Sequence, residues 1–275
     1  MNEATTPRDR ERPATLWLGD GRRPEFAATF DEVARRSESI ACDGWRDADL
    51  PPRDLAPVLV VVAQGTAGEF SDADLLRLRR RYPTAAVVRI VGSWCEGELR
   101  TSPPPAAVKR YCWHHAAALL RVDFDRLEAG LRPEWGLPAT ATEEESLTSG
   151  GVVAAAHRAA IQVGIAASDP VVERWLFDFC TSYEFLRARL IGDSSLGGAA
   201  PDVVLWDVPI SAASRESEAR RLMNDAVPAS VVALANYPRR DELAAWSDWG
   251  IGRVLGKPAS NACLLAAIET TVARA

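Results

Sequence analysis

Two residues that could do chemistry stand at the ends of apolar runs in the second half of the chain. Asp207 ends the run 201–207, and Lys257 ends the run 250–257, directly before a proline. Lysine is rare in this sequence, with only Lys109 and Lys257 among 32 basic residues. If both runs are parallel strands, the two side chains lie at the carboxyl edge of one sheet, where open α/β sheets collect ligands. We therefore predict that Asp207 and Lys257 contact each other.

A second group of reactive side chains lies within residues 93–115, which hold two cysteines, two histidines, two glutamates and two tryptophans. Cys95 and His114 could form a nucleophile and its base, and side chains of these types also bind transition metals. However, Cys95 and Cys112 are too far apart for a zinc knuckle, and adjacent histidines point in different directions. We therefore predict no metal site. The alternative is a loop packed by its aromatic side chains, which would still be the candidate binding surface of the first half.

The elements that would position these residues repeat once along the chain. Residues 57–63 resemble residues 201–207, and residues 85–91 resemble residues 229–235. Short, continuous apolar runs of this kind are typical of strands buried on both faces of a parallel sheet, and the helical patterns between them indicate βαβ units. The predicted fold class is α/β, with two tandem doubly wound domains that each have a parallel sheet.

Two helix starts can be read directly from the sequence. Ser71, with Asp74 three residues later, predicts a capping box at the start of a helix over residues 71–82. Asp169, followed by Pro170, predicts an N-cap and first turn for a helix over residues 170–181. The interpretation of Asp169 as a cap competes with any role as a metal ligand.

Length and composition set the remaining limits. A chain of 275 residues predicts two domains, which we place at residues 15–130 and 157–275, after a disordered tail (1–14) and around a linker (131–156). The net charge of −6 argues against nucleic-acid or anionic-membrane partners, and no apolar run is long enough to span a bilayer. Five cysteines with no close pair predict free thiols and a cytoplasmic location.

The second domain resembles the receiver domain of response regulators, because Asp207 and the Lys257-Pro258 pair match that family's pattern. In that family an acid at this strand end accepts a phosphoryl group and the lysine contacts it. The resemblance implies a flavodoxin-like, receiver-like fold, a phosphoacceptor-like Asp207, a phosphate-contact-like Lys257, and a place in two-component phosphorelay signalling. The first half resembles the family more weakly, with Ala63 at the acceptor position and Asp20 as the only acid in place.

The sequence departs from the family pattern at the other site positions. Receivers bind Mg²⁺ with an acidic pair after the first strand, but Ala167 and Ser168 stand there and only Asp169 remains. Ala235 replaces the Ser or Thr that ends the fourth strand. Mg²⁺ is usually held by one or two carboxylates, and phosphoryl transfer depends on it. We predict no cofactor beyond weak Mg²⁺ binding, and the matching pair is then either a leftover ion pair or a residual phosphate site.

The predicted function is that of a non-catalytic pseudo-receiver that regulates through protein–protein interaction, with a protein partner or through self-association. Two alternatives stay open: a phosphorylatable response regulator that uses Asp207 with atypical metal binding, and an enzyme that uses the Cys95/His114 region. Receivers commonly signal through the face formed by their fourth helix, fifth strand and fifth helix. Three aromatic residues of that region are candidate interface anchors: Tyr237, Trp246 and Trp249.

Overall fold

The protein forms two parallel five-stranded sheets, each in its own compact unit. The computed structural model describes residues 12–42, 50–52, 55–95, 105, 108–137, 141, 160–191, 200–225 and 231–273. These sheets and their flanking helices confirm the predicted α/β, doubly wound fold. Within the described ranges, no helix has the length and apolar character needed to cross a membrane.

In the first unit, the described elements are β1 (Ala14–Leu18), α1 (Pro24–Arg36), β2 (Glu38–Cys42), β3 (Leu59–Gln64), α2 (Asp72–Arg81), β4 (Ala86–Val91), β5 (Val108–Cys112) and a 3₁₀ turn (Glu134–Gly136). The strands are parallel and have the order β2-β1-β3-β4-β5. Strand β3 is central and buried along its whole length. The prediction of a central strand over residues 57–63 is therefore confirmed.

The second unit repeats this topology. Its described elements are α3 (Trp113–Glu128), β6 (Ile161–Ala166), α4 (Pro170–Thr181), β7 (Leu186–Leu190), β8 (Val203–Asp207), α5 (Ala212–Asp225), β9 (Val231–Asn236), α6 (Arg240–Asp248), β10 (Arg253–Lys257) and α7 (Asn261–Val272). The strands are parallel in the order β10-β9-β8-β6-β7, so β8 is central, as predicted for residues 201–207. Both sheets thus have the order 2-1-3-4-5 by position in their own half.

Helix α3 differs from the predicted domain division. The prediction assigned residues 15–130 to the first domain, but His114–Leu131 group by their contacts with the second unit, and the chain rejoins the first unit at Arg132. An amphipathic pattern shows that a helix must pack, but it does not show against which sheet. Residues 1–11 of the predicted tail and most of the predicted linker lie outside the described residues, and Ala14, which was assigned to the tail, begins β1.

The two predicted helix starts are both present. Ser71 Oγ accepts a hydrogen bond from the Asp74 N–H at 3.2 Å, and Asp74 Oδ2 accepts one from the Ser71 N–H at 2.9 Å, which completes a capping box. Asp169 Oδ1 accepts a hydrogen bond from the Val171 N–H at 2.8 Å at the start of α4. Caps of this kind typically contribute about 1 kcal/mol each.

Strand β8 carries Asp207 to the carboxyl edge of the second sheet. Alternate residues of a strand face opposite sides of the sheet, so Val203 and Leu205 pack in one core cluster with residues of α4 and α7. Val204 and Trp206 pack in the other cluster, with residues of α5 and α6. Because β8 is buried on both faces, its position is fixed by packing, and Asp207 at its end is held in a defined place.

Candidate functional site

Asp207 and Lys257 form an ion pair at the carboxyl edge of the second sheet. Asp207 is the last residue of β8 and Lys257 is the last residue of β10, with β9 between the two strands. Lys257 Nζ donates a hydrogen bond to Asp207 Oδ1, and the two side chains are only 16% and 6% exposed. The predicted contact is confirmed. A carboxylate this deeply buried needs a compensating cation, and Lys257 supplies it.

The positions of the missing acidic pair cannot complete a magnesium site. Ala167 is half-buried and Ser168 is exposed, and neither has a carboxylate. Asp169 accepts the N–H of Val171 as the cap of α4. Mg²⁺ prefers near-octahedral oxygen coordination with one or two carboxylates, but the carboxylate of Asp169 already caps α4 and that of Asp207 is paired with Lys257. Among the residues that the structure describes, no group of three or more His, Cys, Asp and Glu side chains is placed to hold a metal.

A buried alanine stands at the position where receivers have a Ser or Thr hydroxyl. Ala235 is buried in β9 and pairs in register with Gly256, while Asn236 pairs with Lys257. The methyl group of Ala235 cannot donate a hydrogen bond to a phosphoryl oxygen, as a Ser or Thr hydroxyl at this position could. The next residue, Tyr237, has a φ of +49° and a side chain that is 77% exposed. A large non-glycine residue in the left-handed region is uncommon and worth a functional hypothesis.

An arginine that sequence reasoning missed holds the loop after β8. Arg215 of α5 donates from Nε to the Pro209 carbonyl at 2.8 Å and from Nη2 to the Ile210 carbonyl at 3.2 Å. Its Nη1 lies 2.6 Å from Glu242 Oε1 of α6. These contacts tie the loop that follows Asp207 to two helices. No sequence pattern predicts these contacts, because an arginine in a helix is ordinarily exposed to solvent.

The strand register allows the two sheet edges to be compared position by position. Val62 pairs with Leu18 at the end of β1, as Trp206 pairs with Ala166 at the end of β6. The next residue, Ala63, therefore occupies in the first unit the place of Asp207. When the register is followed from β3 through β4 to β5, and from β8 through β9 to β10, Trp113 falls at the position in the first sheet that corresponds to Lys257 in the second. The first sheet thus has neither residue of the ion pair, in agreement with the sequence interpretation.

Other polar side chains fill the equivalent edge of the first sheet. Arg23 Nη2 lies 3.1 Å from Glu25 Oε1, and the Glu25 side chain has no exposed surface. Glycines that follow β3 and β4 make room for them. A Cβ on Gly65 would come within 1.7 Å of the Arg23 guanidinium, and one on Gly92 within 2.5 Å of the Glu25 carboxylate. A glycine directly after each of two neighbouring strands was the available sequence signal.

The Cys95/His114 pair is divided between the two units. Cys95 belongs to the first unit, has no exposed surface, and its Sγ lies 3.6 Å from Gln64 Nε2. His114 belongs to the second unit, where its Nδ1 accepts a hydrogen bond from the Gly256 N–H at 3.2 Å. A buried thiol of this kind is typical of a structural cysteine. Residues 96–104, which contain both glutamates of the predicted cluster, lie outside the described part of the chain.

The aromatic residues of the predicted interface have three different environments. At least one of the two tryptophans was expected in the core, and Trp246 is that residue, with 2% exposure, so it is not a candidate anchor. Trp249 is half-buried and packs against the same cluster, while Tyr237 is exposed. The spacing of three residues between Trp246 and Trp249 predicts that they share a helix face, but it does not predict which of them is more deeply buried. Tyr237 is therefore the anchor that solvent can reach.

Part of the predicted signalling face is already occupied within the chain. β10 is an edge strand, and an edge strand exposes unpaired N–H and C=O groups. Here His114 of α3 accepts from the Gly256 N–H, and His115 Nε2 donates to the Gly256 carbonyl oxygen at 2.7 Å. The edge of β10 is therefore contacted by α3 at Gly256.

No family model matches the chain, and no curated protein matches it. Among solved structures, it is similar to the C-terminal part of E. coli RcsC, which contains a linker region and a phosphoreceiver domain, with 14% identity, 96% of this chain and 94% of that chain covered, and a TM-score of 0.33. It is also similar to a protein described as a probable two-component system response regulator/GGDEF domain protein, at 12% identity, 94% and 98% coverage and a TM-score of 0.35. A glyoxylate/hydroxypyruvate reductase from Sinorhizobium meliloti gives 12% identity, 95% and 92% coverage and a TM-score of 0.24. TM-scores at this level assign no function, so a function can be inferred only from the residues at the strand ends.

Proposed function

We propose that this chain is a non-catalytic pseudo-receiver protein of two-component signalling, which acts in the cytoplasm by binding a protein partner or a second copy. The observation that carries the proposal is the state of Asp207. Its carboxylate is buried and paired with Lys257, while the positions that would hold a metal are Ala167 and Ser168. Such an acid is neutralised by the protein itself and has no metal to help a phosphoryl group approach it.

Electrostatics supports this proposal. A phosphoryl group on Asp207 would add roughly 1.5 to 2 negative charges near neutral pH. Lys257 is one cation and already balances one carboxylate. Among the residues described at this edge, there is no acidic pair to bring Mg²⁺ and no hydroxyl at Ala235 to donate a hydrogen bond, so Lys257 alone would face the added charge. We infer that the protein needs no cofactor and binds Mg²⁺ only weakly.

The first test is chemical. Incubation with acetyl phosphate and Mg²⁺, followed by intact-mass measurement, should give no stoichiometric increase of one phosphoryl group. Asp207→Asn is the matched control, because it keeps the shape of the side chain and removes the acceptor. An increase that this variant abolishes would overturn the proposal and establish the alternative, a phosphorylatable regulator.

The second test concerns binding. Tyr237 is the exposed aromatic next to the ion-pair edge, and exposed tyrosines are frequent interface anchors. Tyr237→Gly should abolish self-association measured by light scattering, or capture of the partner on immobilised full-length chain. Trp94→Ser is the matched control, because Trp94 is equally exposed, at 73%, but lies in the first unit. Equal loss with both variants would refute a specific role for Tyr237.

A further inference from the structure

Strand β7 ends the second sheet on the side away from β10, and within the described ranges no strand pairs with its outer edge. The Phe185 carbonyl accepts from the Ile161 N–H, and the Ile191 N–H donates to the Ile165 carbonyl. In a parallel pair such bonds to the neighbouring strand use every second residue. Given the register of β6 and β7, the N–H and C=O groups of two residues therefore point to the outer edge: Ala188 and Leu190.

A cavity of about 310 Å³ lies beside this edge, between β7 and the last turns of α4. Its apolar wall is formed by Phe177, Tyr183, Leu186 and Ala188. The same four side chains belong to the core cluster on this face of the sheet or pack against it. A strand added to β7 would direct every second side chain to this face, and one of them would enter the cavity.

The opposite face of β7 is basic. Arg187 and Arg189 alternate with the apolar residues of the strand, so both point away from the cavity. Arg187 is exposed and donates from Nη1 to the carbonyls of Glu184 and Leu186. The Nε of Arg189 is buried and has no hydrogen-bond partner among the described residues. Two arginines thus stand side by side on the edge of a chain whose net charge is −6.

These charges decide what can pair with β7. A second copy in antiparallel pairing about Ala188 would place its Arg189 opposite Arg187, and like charges in directly opposed positions destabilise a strand pair. Charged side chains on an edge strand commonly prevent this kind of self-association. The same side chains favour a strand with acidic residues at the opposed positions, because specificity comes from repulsion of the wrong partner as well as attraction of the right one.

We propose that β7 binds an extended segment of a partner protein in which two acidic residues flank an apolar one. The acids face Arg187 and Arg189, the apolar side chain enters the cavity beside Phe177 and Tyr183, and the main chain pairs with the outer edge of β7. The inference rests on the proposed function, since it states the chemistry of the partner that this function requires. It uses a surface that does not include Tyr237.

The charge requirement is tested with two fluorescein-labelled, C-terminally amidated peptides, Val-Glu-Phe-Glu-Val and Val-Lys-Phe-Lys-Val. Fluorescence anisotropy with the full-length chain should show that the acidic peptide binds about tenfold more tightly than its lysine analogue. Arg187→Glu/Arg189→Glu should reverse this preference. Arg220→Glu is the matched control, because it reverses another exposed arginine of the second unit and should leave the preference unchanged. Equal binding of the two peptides to the wild type would overturn the proposal.

The main-chain pairing is tested with Ala188→Pro, which removes an outward N–H from β7. Proline is tolerated on an edge strand where the missing N–H would face outward. Binding of the acidic peptide should weaken by about tenfold, whereas Ala188→Ser keeps the N–H and should bind as the wild type does. Equal affinities of these two variants would overturn strand pairing. If the proline variant does not fold, amide hydrogen exchange of the wild type decides, and exchange at Ala188 and Leu190 that the peptide does not slow overturns it.

Two further measurements separate this inference from its alternatives. A dimer in light scattering that Ala188→Pro dissociates would show that a second copy occupies the edge, and would overturn the choice of an acidic partner. Tyr237→Gly should leave peptide binding unchanged, so this variant tests only the proposed function. A chain that captures its partner through Tyr237 but does not bind the acidic peptide would refute the role of β7 and leave the proposed function standing.

Discussion

Removal of the cation from the Asp207–Lys257 pair is the sharpest test of how this site is stabilised. Lys257→Met keeps the length of the side chain and leaves Asp207, which is 4% exposed, without its partner. Breaking a buried ion pair from one side costs about 3–5 kcal/mol. Because 16% of the Lys257 side chain is exposed, solvent screens part of the interaction. We therefore expect a loss of about 2–3 kcal/mol in the free energy of unfolding of the second unit.

The double variant Asp207→Leu/Lys257→Met separates the cost of an isolated charge from the value of the pair. Replacement of a whole buried pair by apolar residues is often neutral or stabilising, because the desolvation penalty disappears together with the charges. We expect its free energy of unfolding to lie within about 1 kcal/mol of the wild type. Arg174→Met is the surface control, since the Arg174–Asp178 pair is 80% and 65% exposed, and it should cost less than about 1 kcal/mol.

Urea unfolding followed by tryptophan fluorescence gives the measurement, since Trp206 and Trp246 lie in the core of this unit. A single variant with wild-type stability would show that Asp207 is not desolvated as its burial indicates. A double variant as unstable as the single one would show that the charges themselves are required. Either result would refute the view that Lys257 mainly neutralises an otherwise stranded carboxylate.

Three further predictions follow from the same structure. The pKa of Cys180 is raised from 9.0 to about 12 by burial, so the folded state favours the neutral thiol and the unfolded state ionises first. Stability should then fall by up to about 1.4 kcal/mol per pH unit above pH 9, and Cys180→Ala should flatten this slope in urea titrations. Tyr237 has a left-handed φ of +49°, which costs a large residue more free energy than it costs glycine. Tyr237→Gly should therefore raise the free energy of unfolding by up to about 1 kcal/mol. Arg215→Ala removes the contacts to Pro209, Ile210 and Glu242, and should speed amide hydrogen exchange in the loop after β8, with a loss of about 1–3 kcal/mol.

The sequence was sufficient for the architecture because the central strands are buried on both faces. Continuous apolar runs at 57–63 and 201–207 have no solvent face, and the structure places both at the centre of a parallel sheet. The contact of Asp207 with Lys257 followed from the same logic, since parallel strands bring their carboxyl ends to one edge. Caps at Ser71 and Asp169 were predictable because they depend on neighbours within three residues.

Contacts that no strand or helix pattern brings together could not be predicted. The hydrogen bonds of His114 and His115 reach Gly256, more than a hundred residues away in sequence. Because adjacent side chains on a helix point in different directions, the two histidines were not expected to share a partner. They do share one, since the N–H of Gly256 bonds to His114 and its C=O bonds to His115. The Arg23–Glu25 pair was missed for a related reason, because a charged residue in a first helical turn is ordinarily exposed.

One buried carboxylate beside one lysine, with no further acids at the neighbouring positions, is an electrostatically balanced arrangement. A site with three carboxylates is stable only with a bound cation, whereas one carboxylate and one lysine are balanced without any ion. At this edge Asp207 and Lys257 reach that balance inside the protein, and Ala167 and Ser168 add no charge that would disturb it. Such a site does not require a metal to remain folded. It is also poorly suited to receive a phosphate, which is what the proposed role in binding a protein partner requires of it.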